Sequence, residues 1–318
     1  MAYSGRIETG TSRTGAISPP AYPGGAWDYD TYNSTFIAGL TYSVAAKGAY
    51  SGNGTLVDPN LSLFDSNGTR IMYHDDIVQG VNRDATLSFK VNQTGVLTLG
   101  VGETGNNATG SYTLTLSAGF ASNSNDRVTG TAYGDAINGM AGNDFLNGMG
   151  GNDRLFGGDG ADTLWGGAGA DILFGQTGAD VLRGHAGNDA LYSGHGADDL
   201  IGGTGADRFI FMSHTDSNRA FGVDVITAGD GAAAFEGVGV AGGDRIDLSQ
   251  IDANVNLAGN QAFVWSASRT AGTLSLSDVN GNTVVNGHVN NDGVVDFMLI
   301  IADGAIAASR YTSDEFLL

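Results

Sequence analysis

The chain has 318 residues, with 34 acids against 14 bases for a formal charge of −20, 52 glycines, four prolines and no cysteine. Without cysteine there are neither disulfides nor thiolate metal sites, so an extracellular chain of this kind needs another staple, and bound metal is the usual one. The acidity argues against nucleic acid as a partner, because no basic stripe exists to displace its counterions, and no apolar run approaches the ~20 residues of a transmembrane helix.

A hydrophobic share of 41% suits globular folding, and the length allows two or three domains. Glycine at about twice its usual share demands a fold with many left-handed turns. The acid excess is uneven: net −3 over residues 1–120, −8 over 121–211 and −9 over 212–318. The opening MAYSGRIETGTSRTGAISPP lacks the apolar centre of a secretory signal peptide, so an export address is expected elsewhere.

Residues 1–32, with Pro19, Pro20 and Pro23, read as a flexible arm or a poorly ordered first strand. From 33 to 120 short alternating strands follow: LTYSVAA, NLSLFD, ATLSFKVN, GVLTLGVG and GSYTLTLS, separated by turns such as DSNG and NQTG. Period-two strands broken by Gly/Asn turns predict an antiparallel β-sandwich. DPNLSLFDSNGT, the pair Asp75–Asp76 and the closing GSYTLTLS make this stretch resemble the pre-peptidase C-terminal-like domain, a small sandwich attached to secreted bacterial hydrolases. Asp65, Asp75 and Asp76 could hold one calcium; solvated turn acids are the plainer reading.

Nine nonapeptides then run in phase from Gly130 to Ile210: GTAYGDAIN, GMAGNDFLN, GMGGNDRLF, GGDGADTLW, GGAGADILF, GQTGADVLR, GHAGNDALY, SGHGADDLI and GGTGADRFI. Position six is always aspartate: Asp135, Asp144, Asp153, Asp162, Asp171, Asp180, Asp189, Asp198 and Asp207. Position eight is always large and apolar, from Ile137 and Leu146 to Leu200 and Phe209. Position one is glycine (Gly139, Gly148, Gly157, Gly166, Gly175, Gly184 and Gly202 among them) except at Ser193. Position four is glycine (Gly142, Gly151, Gly160, Gly169, Gly178, Gly187, Gly196 and Gly205 among them) except at Tyr133.

The pattern is the RTX repeat GGxGxDxUx, a sequence class associated with calcium. Each repeat divides into a six-residue turn and a three-residue strand. The glycines aim carbonyl oxygens inward and the aspartate closes the turn with an anionic oxygen. Calcium takes six to eight such oxygens, more than one turn supplies. The resemblance implies that two repeats complete one coil of a parallel β-roll, with a calcium between turns of repeats i and i+2. Asp153 then sits over Asp135 and Asp162 over Asp144, giving about seven intervals, the first of them doubtful because Tyr133 replaces a turn glycine. Stacked aspartates repel without a cation, so folding is expected to be coupled to calcium. Extracellular calcium modules bind at ~10⁻⁴–10⁻³ M, which leaves the region open in a cytosol.

Ninth-position residues flank the inward eighth and are expected to point outward. Phe156, Phe174, Tyr192 and Ile210 form one column; Asn147, Trp165, Arg183 and Ile201 form the other. An apolar stripe of this kind is either folded over by another part of the chain or docks a partner.

After Ile210 the period stops. GDRIDLSQI and the terminal Asp314-Glu315-Phe316-Leu317-Leu318 resemble the C-terminal domain of serralysin-type metalloproteases. That likeness implies a β-rich cap over 212–318 that continues the roll and carries an uncleaved signal for a type I (ABC) secretion machinery. NNDGVVDF departs from the family's more acidic segment, so Asp292 and Asp296 read as a surface turn. HExxH, GxSxG and a cysteine nucleophile are all absent, and none of His74, His185, His195, His214 and His288 begins a zinc motif. The overall expectation is an all-β secreted protein that folds on extracellular calcium. Its role is either a non-catalytic binding, adhesion or surface module, meeting an extracellular protein, polysaccharide or surface, or the export and folding portion of a serralysin-like metalloprotease or other hydrolase.

Overall fold

The computed structural model describes residues 2–7, 11–17, 30–38, 40–47, 59–74, 85–91, 94–103, 110–116, 119–230, 232–235, 243–304, 306 and 308–318. Contacts divide the chain into two compact units, 1–121 and 122–318. The described residues hold strands and two short 3-10 turns and no α-helix, so the all-β expectation holds.

In the first unit the strands are β1 (Ala2–Arg6), β2 (Thr11–Ile17), β3 (Asp30–Phe36), β4 (Thr41–Lys47), β5 (Pro59–Phe64), β6 (Arg70–His74), β7 (Ala85–Lys90), β8 (Gly95–Glu103), β9 (Gly110–Leu116) and β10 (Gly119–Phe120). One sheet has the order β1-β3-β8-β5-β6; in the other β2 pairs with β9, and β4 takes β9, β7 and β10. Alternation along β4 buries Tyr42, Val44 and Ala46. Tyr42 meets Phe36 edge-on at 4.9 Å and stacks with Phe89 at 6.2 Å, and Leu61, Leu63, Leu99 and Leu114 complete a dry interior. Within residues 1–32, read from the sequence as a flexible arm or a poorly ordered first strand, the described residues include two paired strands. β1 runs parallel to β3, and β2 pairs with β9 from Thr11–Leu116 to Ile17–Gly110. Backbone pairing on open sheet edges places these two strands without the alternation that sequence reading depends on.

The second unit opens with β11 (Arg127–Thr129), β12 (Ala136–Ala141), β13 (Phe145–Gly150), β14 (Arg154–Asp159), β15 (Thr163–Ala168), β16 (Ile172–Thr177), β17 (Val181–Ala186), β18 (Ala190–His195), β19 (Asp199–Thr204) and β20 (Arg208–Ile210). Successive strands alternate between two parallel sheets, so residues 18 apart pair: Leu155 with Leu173 in one, Leu164 with Leu182 in the other. Every eighth-position side chain from Ile137 to Phe209 is fully buried between the sheets, and each is worth ~1.5–3 kcal/mol of burial. From β12 to β19 the strands are six residues long, not three, because pairing continues into the turn: Met140 pairs with Gly158 and Ala141 with Asp159.

Past the repeats the two sheets continue. β21 (Asp224–Ile226) joins β19, and β22 (Arg245–Asp247) joins β20. β23 (Val264–Trp265), β24 (Thr273–Val279), β25 (Asn282–His288) and β26 (Phe297–Ile301) extend the first of these, and β27 (Phe316–Leu317) closes the second beside β22. The terminal segment is therefore structural: Phe316 is buried edge-on against Trp265 at 4.9 Å. Thr312 and Glu315 form a reciprocal cap ahead of it.

The ninth-position columns lie on the outer faces. Phe156 and Phe174 stack at 4.9 Å with planes 1° apart, and Phe174 and Tyr192 at 4.4 Å and 19°. Both faces of Phe174 and one face each of Phe156 and Tyr192 are thus taken up within the stack. Ile210 is 4% exposed. In the second column Ile201 lies under the turn at Gly229, and Arg183 faces Asp230 at 3.6 Å. Part of each column is covered by the chain itself.

Candidate metal centre

Each repeat aspartate from Asp144 to Asp207 is reached by the amide of the aspartate one coil earlier. Asp135 N donates to Asp153 Oδ1 at 2.8 Å, Asp153 N to Asp171 Oδ1 at 2.7 Å, Asp171 N to Asp189 Oδ1 at 2.8 Å and Asp189 N to Asp207 Oδ1 at 2.9 Å. On the opposite edge Asp144 N donates to Asp162 Oδ1 at 2.7 Å, Asp162 N to Asp180 Oδ1 and Asp180 N to Asp198 Oδ1, both at 2.8 Å. All seven i/i+2 pairs expected from the sequence are present as hydrogen-bonded neighbours.

Three further links escape the nonapeptide pattern. Asp126 N donates to Asp144 Oδ1, Asp198 N to Asp224 Oδ1 and Asp207 N to Asp244 Oδ1, at 2.7, 3.0 and 2.9 Å. The signal for them was D-x-U without regular spacing: Asp126-Arg127-Val128, Asp224-Val225-Ile226 and Asp244-Arg245-Ile246.

The second carboxylate oxygen divides the ladder. At its start, Asp126 Oδ2 accepts from Ser122 N and Oγ, and Asp135 Oδ2 accepts from Thr131 N and Oγ1 at 2.7 and 2.9 Å. Further along, Oδ2 of Asp144, Asp153, Asp162, Asp171, Asp180, Asp189, Asp198 and Asp224 is buried with no hydrogen-bond donor. Leaving an ionised oxygen so is costly. Burial chiefly, with neighbouring carboxylates adding, pushes Asp153 up to about 8, Asp180 to about 7, and Asp224 to about 9 against an ordinary 3.8. Asp189 and Asp198 rise to about 7, again through burial first.

The glycines supply the rest of the cradle. First-position carbonyls converge on these oxygens: a Cβ on Gly157 would lie 2.5 Å from Asp162 Oδ2 and 2.8 Å from the Gly175 carbonyl oxygen. Gly139, Gly148, Gly166, Gly175 and Gly184 repeat this, and Gly202 meets Asp207 in the same way. Fourth-position Gly142, Gly151, Gly160, Gly169, Gly178, Gly187, Gly196 and Gly205 all have positive φ, and from Gly160 on a Cβ would collide with the carbonyl one coil earlier. The second position adopts the same region, which the sequence did not announce: Met140, Met149, Gln176 and His185 have φ of 73–80°. Hard oxygens from carbonyls and one carboxylate per turn suit calcium and not a nitrogen- or sulfur-seeking metal. Among the described residues no three acids or histidines converge on a single point.

Outside the roll the predicted candidates behave otherwise. Asp65 Oδ1 accepts from Asn67 N and Thr69 N and serves its own turn, while Asp75 and Asp76 lie outside the described residues. Asp296 accepts from Val289 N and Asn290 Nδ2, and Asp292 from Val294 N, so NNDGVVDF is a self-satisfied turn. His185 and His195 stand on different sheets, facing Asp230 and Asp216 respectively.

Residues 120–155, 147–182 and 174–209 match the family model of the RTX calcium-binding nonapeptide repeat. No curated protein is a significant match to the chain. Among solved structures, the pre-peptidase C-terminal domain of a Bacillus anthracis collagenase is similar at 16% identity, over 36% of this chain and 97% of that one, with a TM-score of 0.28. The AlgE6R3 subunit of the Azotobacter vinelandii mannuronan C5-epimerase is similar at 24% identity over 62% of this chain and 80% of that one, with a TM-score of 0.32. The AlgE6R2 subunit is similar at 22% over 50% and 88%, with a TM-score of 0.35.

Proposed function

From a chain that carries RTX calcium-binding repeats over residues 120–209, we propose a secreted, non-catalytic module whose roll assembles on calcium outside the cell. The observation that carries this reading is the row of buried, donorless Oδ2 atoms on Asp144 through Asp198. Bound calcium supplies the positive charge that keeps these carboxylates ionised in a dry interior. The residues themselves do the remainder. First- and fourth-position glycines let the backbone close on itself, the aspartate amides orient each carboxylate, and the leucine column brings the sheets together. Asp153, Asp162, Asp171, Asp180, Asp189 and Asp198, with the glycine carbonyls of stacked turns, are the ligands this reading assigns.

Export through a type I machinery is part of the same reading and rests on the likeness of the last residues to a serralysin-type terminus. No helix among the described residues is long and apolar enough to cross a membrane. In its favour, a roll that closes only at ~10⁻⁴–10⁻³ M calcium stays open in the producing cell and closes after release. The test is hydrogen exchange with and without calcium. Amides of residues 126–210 are expected to lose protection on chelation while the strands of residues 30–116 keep theirs. Unchanged protection across the roll after chelation would falsify the coupling.

A further inference from the structure

The regular spacing breaks after Asp198: the next acid on that edge is Asp224, 26 residues on instead of 18. The chain leaves the roll after Ile210 and returns at Gly222, which stacks on Gly196 as a fourth-position glycine does, with φ +142°. Asp224 then occupies the place of a repeat aspartate. Its own amide donates to Ser217 Oγ at 2.8 Å, and that hydroxyl donates to the Met298 carbonyl of β26. The end of the ladder is thereby fastened to the C-terminal strands.

Three buried residues bring oxygens to this junction. Asp224 is wholly buried and Asp198 is 2% exposed, and Oδ2 of each lacks a donor. The third is Ser193, which alone among the nine first positions is not glycine. It too is wholly buried. Its Oγ lies beside the Asp224 carboxyl and favours its ionised form against the effect of burial. Asp216 stands nearby with Oδ2 already taken by Met212 N and Ser213 N at 2.7 and 2.9 Å, and Oδ1 3.7 Å from His195 Nδ1. Two buried carboxylates side by side, with one hydroxyl beside them, form an environment that an oxygen-seeking cation satisfies and an empty interior penalises.

On the premise that the repeat turns bind calcium, we propose that Asp198, Asp224 and Ser193 form an additional calcium site beyond the last nonapeptide, joining the roll to its C-terminal strands. Nothing in the nonapeptide motif specifies it, since two of its oxygens come from a non-repeat aspartate and from a departure from the repeat consensus.

Equilibrium dialysis of the full chain against calcium counts the ions bound, and Asp224→Asn is read beside Asp171→Asn. Loss of one ion by Asp224→Asn, with Asp171→Asn also losing calcium, supports the site. An unchanged count in Asp224→Asn while Asp171→Asn loses calcium overturns it and leaves the repeat reading intact. If the unmodified chain binds no calcium, the repeat reading falls and the site with it. Should Asp224→Asn fail to fold at saturating calcium, Ser193→Gly decides, because it restores the repeat consensus and removes only the hydroxyl. One ion is then expected to bind about ten-fold more weakly, and unaltered affinity for every ion overturns the proposal.

Discussion

The amide of Asp171 donates to Oδ1 of Asp189 at 2.8 Å, while Oδ2 of Asp189 is buried with no donor. One oxygen of the carboxylate is thus positioned by protein and the other has no protein donor, which is where the proposed calcium would bind. At the start of the ladder Thr131 satisfies Asp135 Oδ2 instead. Asp171→Asn keeps an Oδ1 acceptor for Asp153 N but removes the charge. It is expected to raise the calcium midpoint of folding about ten-fold, whereas Asp135→Asn shifts it far less. Circular dichroism during calcium titration measures both, and equal shifts would contradict this division of the ladder.

Acid acts oppositely on the two states of the roll. Without calcium, Asp153, Asp180, Asp189, Asp198 and Asp224 sit at about 8, 7, 7, 7 and 9, above their ordinary 3.8. The folded form then binds more protons than the unfolded one, so this stabilisation is full below pH ~4 and is lost as pH rises through 7 to 9. Calcium-depleted protein should gain β signal as pH falls from 9 to 5. With calcium present, protons compete for the same oxygens and the calcium midpoint should rise over that range. A calcium midpoint independent of pH would be incompatible with these carboxylates as ligands.

Gly178 and Gly293 separate clash from backbone strain. Both have positive φ, but a Cβ on Gly178 would collide with the Gly160 carbonyl, whereas Gly293 faces open space. Gly293→Ala should cost only the left-handed penalty, about 1–2 kcal/mol. Gly178→Ala adds overpacking, for about 3 kcal/mol or more. Thermal unfolding at saturating calcium reads the difference.

The stack of Phe156, Phe174 and Tyr192 presents ring edges outward, so its value is internal. Phe174→Ser with Tyr192→Ser should lower stability in saturating calcium by about 2 kcal/mol or more. Unchanged thermal stability would return the column to the role of a docking surface.

Much of this was legible in the residues. The nonapeptide phase located the aspartates, the leucine column and the pairing of residues 18 apart, because a two-repeat coil converts a sequence period directly into contacts. Asp224 and Asp244 were hidden because the chain leaves the roll before each and returns at an irregular interval. β1 and β2 were hidden because edge pairing is a property of the neighbouring strand and not of their own pattern. The left-handed turns at Met140 and Gln176 fell outside the motif, since stacking in the coil overrides the preference of those side chains.

The alternation of successive strands between two sheets gives the roll a parity. Removing the 18 residues 157–174 would place Tyr192 directly over Phe156 and keep every later strand on its own side. Removing only residues 157–165 would still leave two unbroken rows of aspartates, because each row accepts the other's members. Everything after the cut, however, would change sides relative to everything before it: Phe156 would meet Arg183, and Phe174 would meet Asn147. Such a deletion should spare calcium binding and disturb the outer faces, so the metal counts repeats singly while the surface counts them in pairs.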